Sequence, residues 1–281
     1  MANRPPDDSN KLGHHVRGSG GVCALKTRDY LSLRIFRRWP FCELKLDSFT
    51  MKRILVSWSS GKDSAWTLHV LRQQGRYEIA GLLTTFNEAA DRVAMHAVRR
   101  ELVEQQAVLA GLPHWDVGLP WPCSNEQYEN LMAETCAKAL AEGIGAIAFG
   151  DLFLEDVRAY RERQLRDTGL EPIFPLWGQP TRELANEMIA AGMRAKLTCV
   201  DSKQLDARFV GREFDEKLLA DLPAGIDPCG EKGEFHSFVY AGPMLNGEIQ
   251  VSLGERVVRD QFVFADLIPA SGSHTSSSNR L

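Results

Sequence analysis

The chain has 281 residues, of which 44% are hydrophobic and 25% charged, the usage of an ordinary globular protein, which excludes a mainly disordered one. It carries 33 Lys+Arg against 37 Asp+Glu, a net charge of −4, and no apolar run approaches the ~18 residues of a membrane-spanning helix. Residues 1–50 hold 9 basic and 5 acidic residues while residues 51–269 hold 23 and 32, so the body of the protein is acidic and a poor general binder of nucleic-acid phosphates.

Residues 1–22 are rich in Pro, Gly, Asn, Asp and Ser, and residues 30–46 are Arg-rich. Residues 1–50 are therefore expected to be a disordered extension, with the folded part starting near Met51. An apolar run at 53–58 predicts a first strand, followed by a Ser/Gly loop and a helix carrying Trp66, Leu68, Val70 and Leu71. Residues 79–86 predict a second strand, and 92–110 a helix ended by Gly111 and Pro113. A strand near 114–118, a helix at 126–142 and a strand at 146–149 come next. Helices at about 156–168 and 181–191 precede a strand at 195–200. Short apolar runs alternating with helices are the pattern of a parallel sheet buried on both faces. Residues 235–240 and 249–264 read as antiparallel strands, with turns at Asn246-Gly247 and Gly254. The expectation is an α/β protein: a doubly wound parallel sheet over 51–200, a smaller mixed α+β part over 201–269, and a disordered tail at 270–281.

The six cysteines (Cys23, Cys42, Cys123, Cys136, Cys199 and Cys229) include no C-x-x-C pair, so neither a zinc knuckle nor a thioredoxin-type motif is present. Scattered single thiols point to a reducing, cytoplasmic setting.

The segment with most chemistry is Ser57-Trp58-Ser59-Ser60-Gly61-Lys62-Asp63-Ser64, which leaves a strand and opens a helix. Backbone N–H groups and the positive end of the dipole make such a junction an anion site. Lys62 adds a cation and the serines add hydroxyls. Asp63 would repel a phosphate unless Mg²⁺ or a backbone cap occupies it. A Walker A loop is excluded, because Val56 stands where Gly is needed and Asp63 follows the lysine. Read without a ligand, the same residues are a turn and a helix cap.

Ser59-Ser60-Gly61-Lys62-Asp63-Ser64 resembles the S-G-G-x-D-S PP-loop of the ATP pyrophosphatases, with Ser60 in place of the first Gly. Three later segments narrow the resemblance: Gly150-Asp151-Leu152-Phe153-Leu154-Glu155-Asp156-Val157-Arg158, Ile173-Phe174-Pro175-Leu176-Trp177, and Gly225 to His236 with its Cys-Gly-Glu-x-Gly-Glu-Phe core. Together they look like the diphthine–ammonia ligase family over about Met51 to Ile268, closest to its short members.

That resemblance implies a HUP-type nucleotide-binding fold and an enzyme that adenylates a carboxylate with ATP, releasing pyrophosphate and then AMP as ammonia forms the amide. It implies ATP and Mg²⁺ as cofactors and a small-molecule or protein-borne carboxylate as substrate, other than diphthine in the short members. No membrane or nucleic-acid partner is expected, and a homodimer is left open. Lys62, Asp63, Glu231 and Glu234 are the expected catalytic residues, with Asp63 on Mg²⁺. Ser57, Ser59, Ser60, Gly61, Lys62, Asp63, Ser64, Thr84, His96, Gly150, Asp151 and Arg158 are the expected nucleotide contacts. Arg158 and Glu162, four apart, read equally well as a helix salt bridge. Cys229, with only His236 near in sequence, reads as structural, and Trp58, Trp66 and Trp177 as core. Two other readings are an RNA-modifying PP-loop enzyme and a nucleotide sensor without turnover. The acidic body and absent C-x-x-C pair oppose the first, and the double-glutamate motif opposes the second.

Overall fold

A computed structural model of the protein describes residues 51–94 and 96–270. The expectations for residues 1–50 and 271–281 lie outside the described residues.

The first strand, β1 (Lys52–Ser57), has Ile54, Leu55 and Val56 fully buried, as its uninterrupted apolar run requires. Helix α1 (Lys62–Gln74) follows, and Gly75 ends it in a left-handed conformation (φ 59°). Next come β2 (Tyr77–Asn87), the two-residue β3 (Arg92–Val93), α2 (Arg100–Ala110), β4 (His114–Leu119) and α3 (Asn125–Ala141). They are followed by β5 (Ile144–Ala148), α4 (Glu155–Leu165) and β6 (Glu171–Ile173). In space the parallel strands run β4-β2-β1-β5-β6. The strand order reverses between β1 and β5, the switch point at which open α/β sheets open a crevice beyond the carboxyl ends of their strands. β3 pairs antiparallel with Phe86 and Asn87, whose other edge is taken by β4, so it lies just past the end of β1.

Helix α5 (Thr181–Ala190) leads into a second, antiparallel sheet made of β7 (Arg194–Asp201), β8 (Phe235–Ala241), β9 (Val251–Arg259) and β10 (Phe262–Pro269). Its order is β8-β7-β10-β9, and the short helix α6 (Glu216–Asp221) lies in the connection from β7 to β8. One buried apolar cluster runs from Ile54 and Val56 through Leu184, Leu197 and Phe238 to Leu267, joining both sheets.

Three boundaries differ from expectation. The helix expected at 92–110 begins at Arg100, because residues 92–99 fold into a tight turn instead. Val93 N–H donates to Val98 O (2.8 Å), Ala97 takes φ 56°, and Asp266 gathers Arg92 and Arg99 at 2.8 and 2.6 Å. Gly254 lies inside β9, packed against Ile268, and the chain reverses at Asp260 (φ 53°). β7 belongs to the second sheet, so that part of the molecule begins before residue 200.

Candidate active site

The loop between β1 and α1 carries the chain across the switch point. Ser60 adopts φ 69°, the left-handed region where a side chain is strained, and its buried Oγ has no hydrogen-bond partner. The conformation is held from outside the loop. Ser60 O accepts from Val239 N–H (3.0 Å) and from Gln106 Nε2 (3.0 Å), and Lys62 N–H donates to Ser237 Oγ (3.2 Å). Gln106 also bonds Val239 O and accepts from the Trp58 indole, so one buried amide clamps β1, the loop and β8 together. Within the loop, Ser64 Oγ donates to Gly61 O (2.9 Å) and lies 3.3 Å from Ser59 N.

The loop after β5 packs against this turn. A Cβ at Gly150 would stand 2.9 Å from the Asp63 carbonyl carbon and 3.0 Å from its oxygen, so only glycine permits this approach. A third loop, Asp227 to Glu234, closes over both. Asp227 Oδ1 accepts from Cys229 N–H (2.8 Å) and its Oδ2 from Thr181 Oγ1 (2.7 Å). Glu234, 1% exposed, accepts from Asp227 N–H (3.0 Å) and Lys232 N–H (2.9 Å). Glu231 reaches out of the loop instead and accepts from Leu152 N–H (2.8 Å).

Two cavities meet here. The smaller, of about 220 Å³, is lined by Ser57, Ser59, Gly61, Lys62, Asp63, Ser64, His96, Gly150, Asp151, Glu231, His236 and their neighbours. The larger, of about 720 Å³, runs between the carboxyl ends of β1, β2 and β5 and helices α3 and α4. Ser57, Ser59, His96, Phe149 and Arg161 line both.

Lys62 is buried, and its ammonium lies 2.7 Å from Asp63 Oδ2 and 5.5 Å from the Phe235 ring. Burial opposes its charge, but the Asp63 carboxylate outweighs that and leaves its pKa above the usual lysine range. Burial pushes Glu231 up to about 7, assisted by the charge of Asp63 and opposed by the Leu152 hydrogen bond. The His96 and His236 rings meet at 4.3 Å, tilted by 37°; burial lowers the pKa of both, His96 well below the ordinary value and His236 to about 4, so both are neutral at pH 7. Burial raises the Cys229 thiol, which donates to Thr181 O (3.4 Å), so it is not a thiolate nucleophile.

Of the expected residues, four do not reach the cavities. Thr84 is buried on the opposite side of β2 from Thr85, which lines the larger cavity, because neighbours on a strand face opposite ways. Ser60 is turned inward by its own backbone. Glu234 spends both carboxylate oxygens on its own loop. Arg158 stacks on Phe174 (4.9 Å) and Trp177 (4.8 Å) and bonds Glu162 (2.8 Å). One helical turn on, Arg161 faces both cavities and lies 3.7 Å from Asp151 Oδ2. Arg161, Ser237 and Gln106 have no site role in the sequence reading, and His236 enters it only as a neighbour of Cys229. The spacing of Arg161 from Arg158 on one helix could have marked it, whereas the site roles of His236, Ser237 and Gln106 depend on where β8 and α2 dock. Trp58 and Trp66 are core, as expected, while Trp177 is only partly buried.

No group of three or more metal-ligating side chains occurs among the described residues. Asp63 Oδ1 and Asp151 Oδ2 are nevertheless buried and without hydrogen-bond partners, and they belong to loops in contact. Two such carboxylates fit Mg²⁺, which takes one or two from the protein and completes its shell with phosphate oxygens and water.

Comparison with known proteins agrees with this architecture. Residues 51–172 match the family model for the diphthamide synthase N-terminal domain, and residues 180–268 that for the diphthamide synthase C-terminal domain. The rat protein named diphthine–ammonia ligase is 26% identical over 159 residues, which are 54% of this chain and 60% of the relative. Its human counterpart is 26% identical over 148 residues, 51% and 55% of the two chains. A Schizosaccharomyces pombe protein of the same name is 28% identical over 108 residues, 37% of this chain and 18% of the relative. The matches therefore span about three fifths of those relatives at most. With both family models matched in order across the two sheets and the loops that frame the cavities, the chain belongs to the diphthamide synthase, or diphthine–ammonia ligase, family.

Proposed function

We propose that this protein is an ATP-dependent amide ligase that adenylates a carboxylate and transfers ammonia to it. One observation carries the reading: a buried Lys62–Asp63 pair and a glutamate with a pKa of about 7 line the same small cavity, beside one large enough for a nucleoside.

The nucleoside of ATP occupies the 720 Å³ cavity and its β- and γ-phosphates the 220 Å³ one, with the α-phosphorus at the shared residues Ser57, Ser59, His96 and Arg161. A carboxylate is a poor electrophile. Its attack on the α-phosphorus forms an acyl–adenylate and expels pyrophosphate. Lys62 and the N-terminus of α1 offset the charge that builds on the leaving group. Asp63 and Asp151 would hold Mg²⁺, which supplies further charge neutralisation when bound. Neutral His96 and His236 add no cation there. Ammonium gives a proton to Glu231, ammonia attacks the acyl carbon, and the tetrahedral adduct releases its second nitrogen proton to solvent as the C–O bond to AMP breaks and the amide and AMP leave. Glu231 suits the base role because its Oε1 is fixed by Leu152 N–H while its other oxygen makes no hydrogen bond within the described residues.

The test uses α-labelled ATP, Mg²⁺, ammonium and a small-metabolite extract. Extract-dependent AMP is the expected product. ADP, or tight ATP binding with no turnover, sinks the ligase reading and favours a kinase-like or sensor role.

A further inference from the structure

A third cavity of about 370 Å³ adjoins the two assigned to ATP. It is mostly apolar, within the size range of small-molecule sites, and runs between the turn after β2, the segment after β4 and the β9–β10 hairpin. Its inner end is His236, which also lines the phosphate cavity. Val93 and Ala94 form a wall common to this cavity and the nucleoside cavity. The nucleoside cavity reaches His96, this cavity reaches His236 and the phosphate cavity reaches both, so all three meet at this pair of touching rings.

That convergence has a chemical consequence, which rests on the ligase reading above. A nucleophile attacking the α-phosphorus must arrive from a side not filled by the nucleoside or the departing pyrophosphate. The third cavity reaches the His236 ring from a side that neither of those two cavities fills. Its lining is apolar, through Phe262, Phe264 and the exposed Trp121, with two cations, Arg92 and Arg259, against one acid, Asp260. Arg92 is bound to Asp266, whereas Arg259 makes no ion pair with another described residue. We infer that this cavity is the acceptor site and that it takes a free carboxylic acid on an apolar, aromatic or alkyl stem, drawn in past Arg259 and delivered to the α-phosphorus beside His236. The acid's carboxylate oxygen forms the new P–O bond there and the P–O bond to pyrophosphate breaks, the balance already given for adenylation.

The test binds 3-phenylpropionate, octanoate and the polar control succinate to the full chain loaded with Mg²⁺ and α,β-methylene ATP, which cannot be cleaved. Cys123 lines only this cavity of the three, so Cys123→Trp fills it and Cys123→Ala controls for loss of the thiol. The apolar acids are expected to bind and succinate not to. Cys123→Trp should weaken them about tenfold or more and Arg259→Glu about threefold, with nucleotide affinity and the Cys123→Ala protein unchanged. Equal binding to the Cys123→Trp protein, binding by none of the apolar acids, or preference for succinate overturns the assignment. The two readings fail separately. Acids that occupy the cavity without AMP formation from ATP and ammonium end the ligase reading and with it the acceptor role, leaving an acid-binding cavity. Amide formation at parental rate in Cys123→Trp ends the acceptor assignment alone.

Discussion

Two loops face each other across the phosphate cavity, and they are built on different principles. The Ser57–Ser64 loop has its place at the switch point of a parallel sheet, and its backbone is held by groups from elsewhere: Val239, Ser237 and Gln106. The Asp227–Glu234 loop is largely held by its own acids, with Asp227 and Glu234 accepting backbone N–H groups from within it. Identical side chains three residues apart thus have opposite surroundings. Glu234 is saturated with hydrogen bonds and turned inward, while Glu231 has one and lines the cavity. A shared motif does not imply a shared role.

The sharpest way to break that contrast is Lys62→Met, expected to lower AMP formation by about 10³-fold, roughly 4 kcal/mol of barrier, while the protein stays folded. A single-turnover assay with labelled ATP reads it, and a loss below tenfold would remove Lys62 from the chemistry. Glu234→Ala should instead cost about 2 kcal/mol of stability, since the buried Asp227 N–H and the partly buried Lys232 N–H lose their acceptor. Urea denaturation measures this, and a parental midpoint would show that the loop does not depend on it. Glu231→Gln should still consume ATP to form AMP in the presence of acid but lose about 10²-fold in amide yield, with the rise in amidation near pH 7 abolished.

The same glutamate sharpens the comparison through pH. Its folded pKa of about 7 is above the unfolded value of 4.5, so between those values the folded state binds more protons than the unfolded one. Stability should therefore fall as pH rises from 4.5 through 7, and Glu231→Gln should flatten part of that slope and gain about 1 kcal/mol above pH 7, the rest belonging to Asp63 and Asp151, which burial raises in the same direction. Of similar or smaller size is Ser60→Gly, which relieves a left-handed side chain and deletes an unsatisfied buried hydroxyl. A gain of about 1 kcal/mol is expected by thermal unfolding, and a loss would mean that the Ser60 hydroxyl has a partner in solution.

Much of this was readable before the fold. The phosphate loop declared itself because strand, small residues and helix start are contiguous, and the order of strands and helices followed from apolar runs of the right length. The helical spacing of Val93, Ala97 and Val98 places His96 on a helix. The turn that moved it into the site depends on Asp266, 170 residues away in sequence, and no local pattern encodes that. Thr84 and Thr85 could not be told apart until β2 acquired a facing, and Arg158 and Arg161 differ only in which rings and acids their helix meets. Gln106 looks like any polar helix residue until three elements close around it.

Gln106, Ser237 and Val239 also bear on how the chain can be divided. The carbonyl of Ser60 and the amide of Lys62 find their partners on α2 and β8, and β8 lies beyond the boundary between the two family models. A fragment ending near Ile173 would carry every residue of the nucleotide loop yet lack the strand that holds its shape. Separately produced halves should thus recover nucleotide binding only when mixed, as a complementation pair.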